Sequence, residues 1–336
     1  MPAKDEYDSI YGRNALKNSQ NRERGIGLKI QTFEFPSATG VCTIHGGSYL
    51  PDSGKFDTVL VIHHGMAEHQ RRYEHFIEYL CENGVAVYMH DMANHGVSNT
   101  DMALTGWFGK KDGWLGLIAD FREMVLRAEK ENPGKRLIVM GHSMGSFICR
   151  LYTARHPEDG FRGAIYMGTG GPNPAAAAGK ALAGVIGLLA GTKHKSGLLA
   201  KMAFGTYGKR FEGRTEYDWL TRETGIVDKY IADPYCGYLF TVQGMHDLIE
   251  ANAASNAEEW YAGVAADLPV LLISGEEDPV GDYGKGVRTV AEKLKETGHT
   301  AVTLKLYPGC RHEVLNELNR EEVMTDVLEW MKSVNS

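Results

Sequence analysis

The sequence predicts an α/β fold with a mostly parallel central sheet, helices on both faces and a helical cap insertion. Three observations lead to it. Between residues 58 and 167, short β-branched runs alternate with segments of helical apolar spacing, the pattern of strand–helix–strand units around parallel strands. The same alternation resumes at residue 269. Between the two, residues 172–265 break the rhythm, and a structureless loop of that length is improbable. We therefore expect a discontinuous core, 1–171 and 266–336, with a cap at 172–265 over one end of the sheet.

Residues 1–25 are polar and read as a loose lead-in without the apolar centre of a secretory signal. Leu28 to Phe35 and Val41 to Leu50 read as strands, with Gly46-Gly47 as a bulge or turn. TVLVI at 58–62 is compact and β-branched, as a buried strand should be. Phe76, Ile77 and Leu80 fall at helical spacing, and Asn83-Gly84 stops that helix. VAVYM at 85–89 is the next strand. Ile118, Phe121 and Val125 mark a helix over 114–131, ended by Asn132-Pro133-Gly134. Then come a strand at 137–140, a helix at 145–155 and a strand at 163–167. Beyond the insertion lie a strand at 269–274, a helix at 285–297, a strand at 301–307 and a helix at 321–333. No internal repeat is visible.

Composition excludes several classes. Of 336 residues, 43% are hydrophobic and 24% charged, as in ordinary globular proteins. Lys plus Arg number 36 against 43 Asp plus Glu, a formal charge of −7 that argues against nucleic acid as a partner. The five cysteines are scattered, with no CxxC pair. That pattern favours neither a disulfide framework nor a zinc site, and points to a reducing, cytoplasmic compartment. The longest weakly polar stretch, Ala175 to Ala190, contains Lys180 and three glycines and is too short to span a bilayer.

The sharpest chemical signal is Gly141-His142-Ser143-Met144-Gly145, between the run LIVM and a helical segment. A tight strand-to-helix turn there would lift the Ser143 hydroxyl above the sheet, with a helix N-terminus behind it. A serine hydroxyl needs a base held by a third group, in chain order Ser, acid, His. Asp278 in SGEEDPVG follows one late strand, with Glu276, Glu277 and Asp282 as competing acids, and His312 in PGCRHE follows the next. Both positions are strand C-terminal ends, where parallel sheets bind ligands. An oxyanion hole needs two backbone amides. Met144 supplies one, and Met66, in the turn after TVLVI, is the choice for the other.

The segments HHGMAEHQRRYEHF, GHSMG, DPV and RHE together resemble the monoacylglycerol lipase and lysophospholipase-like branch of the α/β-hydrolase superfamily. The segment DWLTRETGIVDKYIADPYCGYLFT resembles bacterial members labelled lysophospholipases or hydrolases of the serine aminopeptidase type. The resemblance runs from about residue 28 onward. It implies Ser143 as nucleophile, Asp278 as orienting acid, His312 as base, and the Met66 and Met144 amides as oxyanion donors. It also suggests that Glu68 and Arg72 brace the oxyanion turn. Relatives with dehalogenase or epoxide hydrolase chemistry carry Asp where this chain has Ser143.

Other residues have plainer readings. His63, His64 and His69 lack zinc spacing, so no metal is expected. His64 is expected to prop the turn, His90 and His95 to be polar loop residues, and His142 to line the site. Cys310 reads as packed and inert. In the insertion, Leu182, Val185, Ile186 and Leu189 recur at helical spacing, as a lid face that accepts an acyl chain or touches lipid. Leu182, Ile186, Leu189, Trp219 and Tyr238 are the candidate substrate-binding residues, with Tyr235, Leu239 and Phe240 beside them.

The expected reaction is hydrolysis of a carboxylic ester, most simply a lipid monoester, through an acyl-enzyme and without cofactor. The partners expected are a small acyl ester substrate and a transient membrane-surface contact through the cap; oligomeric state is left open. Short-chain or aryl esters, thioesters and amides remain alternatives. A peptidase would need a carboxylate for the amino terminus, with Glu212, Glu216 and Asp218 as candidates. A catalytically weak receptor on a hydrolase scaffold and an acyltransferase are readings of other classes.

Overall fold

The structure is a computed structural model and describes residues 28–334; the polar lead-in at 1–25 lies outside the described residues. One sheet contains β1 (Leu28–Pro36), β2 (Thr43–Pro51), β3 (Thr58–His63), β4 (Val85–His90), β5 (Arg136–His142), β6 (Gly163–Met167), β7 (Val270–Gly275) and β8 (Val302–Tyr307). Their spatial order is β1-β2-β4-β3-β5-β6-β7-β8. β2 pairs antiparallel with β1 and β4, and the other pairings are parallel.

The central strands are apolar at consecutive positions because helices cover both faces. Val59 and Val61 face a core with Phe121 and Val125 of α2 (Gly113–Glu131), Ile148 of α3 (Met144–Arg155) and Val290 of the later helix Lys285–Glu296. Leu60 and Ile62 face the opposite core, with Phe76 and Leu80 of α1 (Glu74–Glu82) and Val327 of the last helix, Arg320–Ser333. Gly46-Gly47 is neither bulge nor turn. Phe33 pairs with Gly46 and Thr32 with Gly47 in unbroken register. A Cβ at Gly46 would come within 2.5 Å of the Phe33 ring, so the missing side chain makes room for an aromatic.

Between β6 and β7 come α4 (Ala176–Ala190), α5 (Gly197–Phe204), α6 (Thr224–Ala232), α7 (Val242–Ser255) and α8 (Glu258–Gly263). α4 packs on α7, and α7 and α8 pack on α3, so Met245, Ala251 and Trp260 join the main core. The two remaining helices are α9 (Lys285–Glu296) and α10 (Arg320–Ser333). Buried Arg150 fastens the start of the insertion to its end. Its guanidinium donates to the Gly170 carbonyl at 3.1 Å and to the Ser255 carbonyl, and stacks on Trp260 at 4.0 Å. Burial lowers its pKa to about 10. No helix among the described residues is long and apolar enough to cross a membrane.

Candidate active site

The chain leaves β3 toward β4 on one side and β5 toward β6 on the other. The switch point therefore lies between β3 and β5, and the crevice beyond their C-terminal ends is the expected binding place. Ser143 stands there, between β5 and α3, at φ 53° and ψ −122°. A non-glycine residue held at positive φ stores strain that its surroundings must sustain. The Ser143 amide donates to the Met167 carbonyl at 3.0 Å, and its carbonyl accepts from the Ser146 hydroxyl at 2.5 Å. The flanking glycines are dictated by close approach. A Cβ at Gly141 would sit 2.2 Å from the Gly145 carbonyl oxygen, and one at Gly145 would sit 2.3 Å from the oxygens of His63 and His64.

His312 follows β8, and Asp278 follows β7. The His312 Nδ1 lies 3.0 Å from both Asp278 oxygens. Asp278 is fully buried and also accepts from the Ser274 hydroxyl at 2.8 Å and the Val280 amide at 2.9 Å. Two of its sequence competitors face solvent-side lysine or arginine instead: half-buried Glu276 faces Arg288 at 3.8 Å and exposed Asp282 faces Lys285 at 3.9 Å. Burial opposes a charge on His312, but the Asp278 carboxylate outweighs it and raises the ring above the ordinary histidine value. A proton on Nδ1 leaves Nε2 free to work as a base.

The turn after β3 spends its amides selectively. The Gly65 amide donates to Glu68 Oε1 at 2.6 Å, and the Ala67 amide to His95 Nε2 at 3.3 Å. The Met66 amide has no acceptor among the described residues, and Met144 opens α3, so its amide lacks a helical partner. Both residues face the same cavity as Ser143 and His312. The turn is pinned from behind. His64 Nδ1 donates to the Gly65 carbonyl at 2.8 Å, while its Nε2 accepts from the Met92 amide at 2.9 Å. His90 and His95 are wholly buried rather than loose loop residues. Burial and neighbouring His64 push each of them down to about 3.

A three-charge bridge ties this turn to the His312 loop. Arg72 donates to Glu68 Oε2 at 2.7 Å and, through both Nη atoms, to Glu313 at 2.6 Å. Glu68 also accepts from Tyr73 and meets His142 Nδ1 at 3.1 Å. Burial opposes the Glu68 charge, yet the His142 hydrogen bond and Arg72 hold its carboxyl well below the usual range. Sequence reasoning placed Glu68 and Arg72 here but missed Glu313, whose only signal was its place beside His312.

Residues 54–319 match the family model described as serine aminopeptidase, S33. The chain belongs to the S33 family. This S33 chain is 30% identical to a monoacylglycerol lipase of Mycolicibacterium smegmatis, over 82% of its length and 88% of the relative's. It is 28% identical to the monoglyceride lipase of Rattus norvegicus, over 83% of its length and 82% of the relative's. A thermostable carboxyl esterase from Bacillus coagulans superimposes with a TM-score of 0.85 at 28% identity, covering 91% of this chain and 98% of that one. The fold is thus the α/β-hydrolase fold.

In the S33 chain, Ser143 and His312 open into a cavity of about 1050 Å³. Phe147, Phe204, Met245, Leu248, Ile249 and Val280 give it apolar walls. Trp219 and Tyr238 line it, as do Leu239 and Phe240. The Trp219 ring also lies tilted against His312, with ring centroids 5.2 Å apart. Leu182 and Ile186 instead pack against the main core, and Leu189 is 84% exposed. Helical spacing locates an apolar face without saying what it meets. Of the three carboxylates considered for an amino terminus, Glu212 pairs with Arg311 at 2.7 Å and Asp218 caps the Arg214 amide, while Glu216 lines the cavity. His69 Nε2 lies 2.9 Å from Asp233 Oδ2, with Cys236 close by.

Proposed function

We propose that this chain is a serine hydrolase that cleaves lipid monoesters, monoacylglycerols or lysophospholipids, through an acyl-enzyme. One observation carries the reading: a serine on a strained elbow and a histidine held by a buried carboxylate share one large apolar cavity. Ser143 attacks the acyl carbonyl while His312 Nε2 takes its proton. Asp278 keeps the Nδ1 tautomer and stabilises the imidazolium. The Met66 and Met144 amides receive the oxyanion, worth about 3–4 kcal/mol per donor in such sites. His312 then protonates the leaving alkoxide, and a water activated by the same ring releases the acid.

The names of the Mycolicibacterium smegmatis and rat relatives support the lipid monoester. So do the apolar walls, which suit an acyl chain. Residues 172–265 act in this reading as the cap that roofs the chain, touching a lipid surface transiently. Five free cysteines fit a cytoplasmic setting. A second reading, release of an N-terminal residue from a small peptide, is favoured by Glu216, a carboxylate on the cavity wall suited to an amino group.

The test is acid release from p-nitrophenyl esters of graded length, monoacylglycerols, lysophospholipids and aminoacyl anilides, by wild type and Ser143→Ala. The expected result is turnover of long monoesters by wild type and a loss of about 10⁶-fold in the variant. Silence on every ester, with no labelling by a fluorophosphonate, would sink the esterase reading. Preference for aminoacyl anilides, lost in Glu216→Gln, would promote the second.

A further inference from the structure

The charge of this protein is segregated. Residues 174–211 contain Lys180, Lys193, Lys195, Lys201, Lys209 and Arg210, and no Asp or Glu. In a chain of formal charge −7, that stretch alone carries +6, so the rest carries −13. Lys180 is neutralised by Glu250 at 2.9 Å. The other five have no carboxylate within ion-pair distance among the described residues. Lys193 lies over the Trp107 ring at 4.2 Å, Lys195 donates to the Met102 carbonyl at 3.1 Å, and Arg210 lies over Tyr283 at 3.5 Å.

The same stretch exposes its apolar side chains. Leu188 is 88% exposed, Leu189 84%, Met202 61%, Leu198 58% and Val185 52%. They belong to α4 and α5, which touch each other. The patch adjoins the cavity mouth: Ala200, Lys201 and Gly205 line the cavity, while Leu198 and Met202, beside them in sequence, point to solvent.

Large apolar side chains among unpaired lysines are the composition of a segment that lies in a lipid interface. Protein interfaces, by contrast, are depleted in lysine. A molecule that is otherwise strongly acidic would be repelled from an anionic bilayer in every orientation but one. We infer that residues 174–211 form a docking surface for anionic lipid membranes, and that the segregated charge turns the cavity mouth onto the bilayer. This deepens the lipid-monoester reading and rests on it only for the purpose of docking.

The test uses the full chain carrying Ser143→Ala, so that the vesicles are not consumed. It is co-sedimented with phosphatidylcholine vesicles, with and without about 30% phosphatidylglycerol, at low salt and at about 0.5 M salt. Binding is expected to favour the anionic vesicles and to weaken in high salt. Each cation near such a surface is worth roughly fivefold in partitioning, so Lys193→Gln/Lys209→Gln/Arg210→Gln should lose on the order of a hundredfold. Leu188→Ser/Leu189→Ser should lose binding to both kinds of vesicle. Equal, salt-independent binding to both vesicles overturns the proposal, as does no binding, or self-association of the chain through this patch in sedimentation velocity. The two readings fail separately. A wild type that binds anionic vesicles but hydrolyses no monoester defeats the lipase reading alone. One that cleaves dispersed monoesters and ignores vesicles defeats the docking alone.

Discussion

The elbow at Ser143 and the turn after β3 differ from the first half of the insertion between β6 and β7 in how tightly the surroundings define them. At Gly141 and Gly145 an added methyl would collide with backbone at 2.2–2.3 Å, whereas at Gly184, Gly191 and Gly197 it would meet nothing within 4 Å. Behind the turn, buried His64 and His95 each have both ring nitrogens engaged. On α4, leucines stand almost free in solvent. The comparison teaches that Ser143 is held on an over-determined frame, while the contacts proposed for a lipid fall to surface helices whose outer side chains have few neighbours to lose.

The largest expected effect is on the frame. Gly145→Ala should abolish a cooperative melt or cost more than about 4 kcal/mol, because backbone carbonyls cannot retreat. A variant melting within about 1 kcal/mol of wild type would break the comparison. Arg72→Ala leaves Glu68 and Glu313 buried without their shared cation, and denaturant titration should report a loss of about 3–5 kcal/mol.

Acid should find the frame next. His63, His64, His90 and His95 all have lowered pKa values, chiefly through burial. The unfolded chain then takes protons first. Their contribution to stability is complete above about pH 6.5 and drains as pH falls toward the folded values of about 3 for His90 and His95. Melts of His95→Gln and wild type from pH 7 to 4 should converge on acidification. Catalysis has its own limb. In the proposed mechanism His312 must be neutral to act, and its pKa is raised, so kcat/KM should fall with decreasing pH through a value above the ordinary histidine value. The smallest effect belongs to the cap: Gly184→Ala, inside exposed α4, should stabilise by about 0.5–1 kcal/mol.

Much of the fold is legible because VLVI at 59–62 and VAVYM at 85–89 are apolar at every position, which only strands covered on both faces require. The segments that carry Ser143, Asp278 and His312 to one end of the sheet are legible as short linear runs at strand ends. Contacts across great sequence distance are not. Glu313 lies 241 positions from Arg72, and nothing local in either segment announces the pair. The burial of His90 and His95 is invisible for a related reason, since polar residues outside a periodic segment carry no face. The stripe of α4 is legible only as a period: Leu182 and Ile186 turn to protein and Val185 and Leu189 to solvent, a distinction hydropathy does not encode.

Insertion of the cap between β6 and β7 has a consequence for how the enzyme is made. These neighbouring strands pair although residues 168–269 intervene, so their registration must wait for a long excursion to close, which slows folding. During synthesis Ser143 leaves the ribosome well ahead of Asp278 and His312. Under the proposed mechanism the nascent elbow is therefore idle until the last strands dock, and a protein cut short after β7 would retain Ser143 without the proposed base.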